Sequence, residues 1–303
     1  AYSTQPTFRN RIINGNMAID QRNAGASVTP ANNDLCPDRY KHIITQTAKY
    51  SAQQVSDAPS GFTNSLKITS LSAYSIIATD IFAIAQRIEG YNIADLAWGT
   101  ADAKTVTISF WVKSSLTGTF GGAFRNNAAN RDYPFSYTIS SANTWEQKSI
   151  TLPGDTTGTW VTNNGIGIRL SFGFGVGSTY SGTAGSWAAS NIVSSTGATS
   201  VVGTSGATWQ ITGVQLETGT TATDFENLQY GTQLSLCQRY FQVIADGRVA
   251  INAPICMVVS QSTTVLHGLV QFPTPMRTIP TLVTTVTLYR ANLGTSNGNS
   301  TTN

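Results

Sequence analysis

Charge is scarce in this chain. Only 11% of its 303 residues are Asp, Glu, Lys or Arg, against about 25% in an ordinary soluble protein, so uncharged polar groups must cover much of the surface. The net charge of +3 contains no basic block, and the electrostatic footprint of a nucleic-acid binder is missing. Histidine is scarcer still. His42 and His267 stand far apart, which supplies metal sites poorly, and neither a metal nor a cofactor is expected. The three cysteines, Cys36, Cys237 and Cys256, follow no zinc or CxxC spacing. Their odd number argues against a disulfide framework. One Cys237–Cys256 bridge stays open as an alternative to three buried thiols in a reducing cytoplasm. No apolar run approaches the roughly 18–20 residues of a membrane helix, and no signal peptide opens the chain, so membrane insertion is not expected.

Ser and Thr, roughly a quarter of the residues, fill the place of charge together with 27 Gly, a composition suited to short strands and many turns. Hydrophobic residues at 40% and aromatics at 10% are enough for a core, which excludes a disordered chain. Period-2 alternation is the dominant pattern. Val106, Ile108, Phe110 and Val112 alternate with Thr107, Ser109 and Lys113. Ile166, Ile168, Leu170, Phe172 and Phe174 repeat the pattern, as do Tyr133, Phe135, Tyr137 and Ile139, and more loosely Phe62, Asn64, Leu66 and Ile68. Trp209 and Ile211 give way to Val214 and Leu216, so the phase slips at Gly213, as a β-bulge would make it do. Turn signals about every 8–12 residues predict an all-β, antiparallel jelly-roll sandwich.

Three regions follow. Residues 1–39 read as an extended N-terminal arm, 40–229 as the jelly-roll domain, and 230–303 as a short helix over 231–241 followed by a small C-terminal β domain. In that last region Leu266, Val270 and Phe272 alternate, then Leu282, Val286 and Leu288, before a loose Gly294–Asn303 tail. The opening Ala1 suggests a natural N-terminus after removal of the initiator Met.

Enzyme signatures are missing. There is no GxSxG elbow. The glycine runs Gly165-Ile166-Gly167 and Gly173–Gly177 sit inside an alternating strand and open no helix, so they offer no phosphate cradle. Glycoside hydrolysis needs only two carboxylates, and Glu89, Asp95, Glu146, Glu217 and Glu226 are available. Each has an ordinary alternative: Glu89 and Asp95 flank a turn, and Glu146 follows Trp145 on an exposed strand edge. Trp111 points away from its strand's apolar row, and Arg125 and Arg169 join it if neighbouring strands share that face. An indole beside guanidinium groups suits a sugar ring; cover by a neighbouring subunit is the plainer reading. Trp98, Trp160 and Trp187 lie near loops and would serve equally well.

The motifs taken together resemble a known family. Asn10-Arg11-Ile12-Ile13-Asn14-Gly15-Asn16-Met17 with Asp20-Gln21-Arg22, then Gln86-Arg87-Ile88-Glu89-Gly90 and Ser109-Phe110-Trp111-Val112-Lys113-Ser114, appear in order. Ile211-Thr212-Gly213-Val214-Gln215-Leu216-Glu217, Cys237-Gln238-Arg239-Tyr240-Phe241 and Phe272-Pro273-Thr274-Pro275-Met276-Arg277 complete the set. Over roughly residues 8–290 the chain resembles bacteriophage tail-fibre and virion structural proteins. The resemblance implies a homotrimeric appendage with a body similar to a carbohydrate-binding-module jelly roll, assembled in the host cytoplasm, located in the virion and acting in adsorption to a host surface glycan. It carries over no catalytic residues. Such fibres often have a separate anchoring domain and a longer tip, which this sequence does not show. The arm therefore takes the docking role in this reading. Its apolar groups have no local partner, which predicts wrapping onto an adjacent subunit or another virion protein. Phe8, Arg11, Ile12, Ile13 and Met17, with Leu234, Tyr240 and Phe241, are the expected docking or oligomerisation residues. The rival expectations are a purely structural capsid or collar piece without a receptor, and an enzyme degrading surface polysaccharide.

Overall fold

The computed structural model describes residues 8–244, 258–262 and 266–281. The chain divides into two compact units, 1–237 and 238–303, against the expected boundary at 229/230.

The first unit is a sandwich of two five-stranded antiparallel sheets, as the alternation predicts. Its strands are β1 (Tyr40–Ile44), β2 (Tyr50–Val55), β3 (Ser65–Ser70), β4 (Ile81–Glu89), β5 (Val106–Ser114) and β6 (Gly118–Arg125). They continue with β7 (Asp132–Ile139), β8 (Glu146–Leu152), β9 (Ile166–Val176), the short β10 (Ser181–Gly182) and β11 (Ser194–Ser195), and β12 (Thr208–Thr218). One sheet runs β1-β4-β9-β6-β7 and the other β2-β3-β12-β5-β8. The expected apolar rows of β5, β7 and β9 face inward, with Val106, Ile108, Phe110 and Val112 fully buried, as are Phe174 and Trp209, whereas Ile166 is half-buried and Phe62 and Asn64 precede β3 and lie outside the core. Phe110 meets Phe172 edge-on across the two sheets at 5.1 Å between ring centroids. Each such side chain contributes about 1.5–3 kcal/mol by leaving water. Helix α1 (Tyr230–Gln238) then ends the unit, three residues short of the expected Phe241. Among the described residues no helix is long and apolar enough to cross a membrane.

The phase slip at Gly213 is a bulge. The β12–β5 register shifts between Thr212 and Gln215, and Gly213 has φ +61°, with Phe62 Cζ only 2.7 Å from where a Cβ would sit. Glycine is therefore required by both conformation and space.

The bulge explains the arm. β3 pairs with β12 only over Thr208–Ile211, which leaves one edge of the second half of β12 open. Residues 10–15 occupy that edge: Arg11 N–H donates to Leu216 O at 3.0 Å, and Val214 N–H to Gly15 O at 2.9 Å. Gln86, buried in the interior, accepts Ile13 N–H at 2.8 Å and donates to Ile13 O at 2.9 Å. Ile12 and Met17 join the common core. The expectation that these residues need a second subunit is thus corrected. Their partners lie in the same chain, far away in sequence. Arg11 is held by Asp95 through two bonds of 2.8 and 2.7 Å. Phe8 is exposed, its N–H on Glu226, and Leu234 is half-buried on α1.

The second unit contains a hairpin of β13 (Val258–Ser260) and β14 (Leu266–Gly268). The predicted strand over Leu266–Phe272 stops at Gly268. Val270 and Phe272 belong to an irregular segment that returns to residues 239–242: Arg277 N–H donates to Arg239 O at 2.9 Å, and Gln242 Nε2 to Thr274 O at 3.2 Å. The segment between Gln238 and Gln242 is thereby tied to the proline-rich segment. Tyr240 and Phe241 are half-buried there. Cys256, the alternation over Leu282–Leu288 and the Gly294–Asn303 tail lie outside the described residues. Cys36 and Cys237 are buried free thiols, and burial raises both, Cys36 to about 12.

Candidate functional site

Alternation decides which side of a strand a residue takes, and register decides which residues become neighbours. On the sheet β1-β4-β9-β6-β7 the positions opposite the core rows form three ladders. In one, Ile43 faces Ala83, Ala83 faces Gly173, Gly173 faces Gly121, and Gly121 faces Ser136. In the next the order is Lys41, Ala85, Ser171, Ala123 and Pro134. In the third, Arg87 faces Arg169, Arg169 faces Arg125, and Arg125 faces Asp132.

The small ladder is covered by its own chain. Seen from Gly121, a Cβ would lie 2.3 Å from Ser195 Oγ and 2.6 Å from Ser195 N, and at Gly173 it would lie 2.8 Å from Ser194 Oγ. The glycines of β9 and β6 are therefore a bed for β11, as a structural rather than nucleotide-binding reading requires. Ser171 Oγ bonds Val193 O at 2.9 Å and holds the crossing segment down.

The three arginines of the third ladder and Lys41 stay half-exposed beside this cover. Like charges at directly opposite positions of a sheet oppose one another, and here three arginines on adjacent strands do so, with Lys41 one step along. Arg125 Nη1 donates to Asn191 Oδ1, and Arg169 Nη2 to Asn127 O and Oδ1 at 3.2 and 3.0 Å. Among the described residues Lys41, Arg125 and Arg169 form no ion pair. Arg169 Nε is buried with no hydrogen-bond partner. Burial, then the charges of Arg87 and Arg169, lowers Lys41 to about 8. Burial, then Arg169, lowers Arg125 to about 10. The carboxylate at the end of the ladder, Asp132, is buried. It accepts Ser190 Oγ at 2.8 Å and Ile192 N–H at 3.1 Å, and burial raises it.

Trp111 does not share this face. It belongs to β5 in the other sheet, opposite Thr212 and Gln147, and its Cδ1 lies 3.1 Å from the Cβ position of Gly213. The outward sides of the two sheets point to opposite sides of the sandwich, so the grouping of Trp111 with Arg125 and Arg169 is corrected to the two arginines without it. Trp98, Trp160 and Trp187 are not open platforms either. They pack edge-on at 4.8, 5.3 and 5.5 Å between centroids, with Trp98 and Trp187 donating to Lys104 O and Pro153 O. Lys41 and Arg87 were not singled out from sequence as binding residues. The available signal was one basic residue out of phase with the apolar row on each of β1, β4, β6 and β9.

The carboxylates available for hydrolysis are occupied. Glu146 accepts the N–H groups of Ser140 and Ser141 at 2.8 Å and Lys148 Nζ at 2.6 Å. Glu217 accepts Thr223 N–H and Oγ1, and Glu226 accepts Phe8 and Asn10 N–H. Glu89 is buried, with an interaction of its own. Burial pushes Asp95 up, but Arg11 more than offsets it and the net direction is downward, the wrong way for a general acid. No group of three or more His, Cys, Asp and Glu able to hold a metal occurs among the described residues.

No family model matches the chain, and no curated protein matches it. Among solved structures it is similar to the enzymatically active domain of tailspike protein 4 of bacteriophage CBA120, at 13% identity and TM-score 0.38, over 70% of this chain and 22% of that one. The chain thus spans about a fifth of that protein. It is also similar to a family 4 carbohydrate-binding module at 15% identity and TM-score 0.34, over 68% of this chain and 98% of that one. The family 11 module of a Clostridium thermocellum cellulosomal cellulase gives 13% and 0.32, over 65% and 98%.

Proposed function

We propose that the protein is a non-enzymatic virion appendage, homotrimeric, that attaches to a host cell-surface glycan through the outward face of the sheet β1-β4-β9-β6-β7. The observation that carries the reading is the half-exposed Arg87–Arg169–Arg125 ladder with Lys41. It is a shallow, donor-rich surface on rigid strands, with Asn127 and Asn191 at its rim. A sugar polymer offers many acceptors along an extended chain, and such a strip can engage several at once. The virion setting rests on the order of motifs that resembles tail-fibre proteins. Saturation of the candidate carboxylates supports binding without hydrolysis. A shallow site binds weakly alone, and repetition across three subunits raises its effective concentration on a surface.

The test is retention on a panel of extracted bacterial surface polysaccharides and on the cells themselves, with an Arg125→Ala/Arg169→Ala variant alongside. Sedimentation gives the oligomeric state. Binding that the variant loses, with trimer and circular dichroism unchanged, is expected. Saturating protein retained by no polysaccharide and no cell would leave a purely structural particle component.

A further inference from the structure

Resting on the glycan reading above, we infer that the ligand is an acidic polysaccharide whose sugar carboxylates are gripped by Arg125 and Arg169. The chain has only 18 Lys and Arg in 303 residues, yet four of them, Lys41, Arg87, Arg125 and Arg169, converge on one face. A neutral sugar needs hydrogen-bond donors, and this Ser/Thr-rich chain has uncharged ones in abundance. Four cations are costly here. They repel across the sheet, and their partial burial depresses Lys41, Arg125 and Arg169. Lys41, Arg125 and Arg169 form no ion pair among the described residues, and Asp132, which stands opposite Arg125 and offsets part of its cost, also holds Ser190 and Ile192. An anion is what relieves the arrangement.

Geometry narrows the anion. Arg87, Arg169 and Arg125 lie on three adjacent strands, so the ladder extends about 10 Å across the sheet, about a disaccharide's length. Guanidinium forks match planar carboxylates through paired bonds. A nucleic acid is the poorer fit. The four cations form a short cross-strand strip within a chain of net charge +3, and no aromatic residue stands in the three ladders to stack a base.

The deciding experiment measures binding of the full chain to polygalacturonate, dextran sulfate, neutral dextran and a short DNA duplex, at low and physiological salt. The variants are Arg169→Gln, Arg125→Lys, which keeps charge but not the fork, and Trp111→Ala on the opposite sheet. Polygalacturonate is expected to bind at least about tenfold tighter than dextran. Arg169→Gln should remove about tenfold or more of that affinity, the size of a lost charge-assisted hydrogen bond, and Arg125→Lys several-fold. Trp111→Ala should change nothing. Dextran bound as tightly as polygalacturonate would overturn the acidic class and leave the glycan reading standing. Binding to no polysaccharide would remove both. Tighter binding of dextran sulfate with Arg125→Lys unaffected would overturn the carboxylate assignment, and equal binding of DNA would overturn the sugar specificity. Thermal melts of each variant separate lost contacts from lost fold.

Discussion

Gln86→Leu should release the N-terminal arm. Gln86 is 2% exposed, and its amide clasps one arm residue from both sides: Ile13 N–H at 2.8 Å and Ile13 O at 2.9 Å. Leucine has similar bulk and leaves both Ile13 groups without a partner in a dry site. Each unsatisfied buried group costs about 1–3 kcal/mol, and the added apolar burial returns part of it. The expected loss is about 2–4 kcal/mol, measured by urea unfolding with an unchanged m-value. Hydrogen exchange locates the effect: the amides of Arg11 and Val214, which pair the arm with β12, should exchange faster, whereas those pairing β4 with β9 should not. A loss below about 0.5 kcal/mol with the Val214 amide fully protected would refute the latch.

Four further outcomes follow from the described contacts. Burial holds His42 down to about 4 from its ordinary 6.5; the unfolded chain then binds the extra proton first, so stability falls as pH drops from about 6.5 through 4, by at most about 3 kcal/mol. Acid unfolding of His42→Gln should lack that component. Affinity for an anionic polysaccharide should fall as pH rises past about 8, where Lys41 loses its proton, and titration of Lys41→Gln should show no such step. Phe172→Ala empties the contact between the sheets and should cost about 3–5 kcal/mol in urea unfolding. Gly121→Val drives a branched side chain into Ser194 and Ser195 and should cost about 1–3 kcal/mol, with limited proteolysis rising first near β11.

The sandwich was legible because the long apolar rows of β5, β7 and β9 obey period 2 and point inward, and because one glycine interrupts the row of β12. The arm was visible as a segment, but not its partner. Ile12 and Met17 look orphaned in sequence, and the groups that hold the arm around them, Gln86, Leu216 and Glu226, lie beyond any local window. The site was half legible. Arg125 and Arg169 stand out of phase on their strands, which alternation reveals. Their union with Arg87, and their separation from Trp111, depend on which strands pair and at what register. Those are properties of long-range pairing that periodicity cannot express.

The bond between Leu216 N–H and Asn10 spans 206 positions, and this has a temporal meaning. During synthesis Asn10 leaves the ribosome long before Leu216 exists, by roughly ten to forty seconds at ordinary elongation rates. Throughout that interval the open half of the β12 edge has not been made, and residues 10–15 have no strand edge to pair with. The edge pairing of residues 10–15 therefore forms only after β12 has been made, and the segment waits for a partner two hundred positions away.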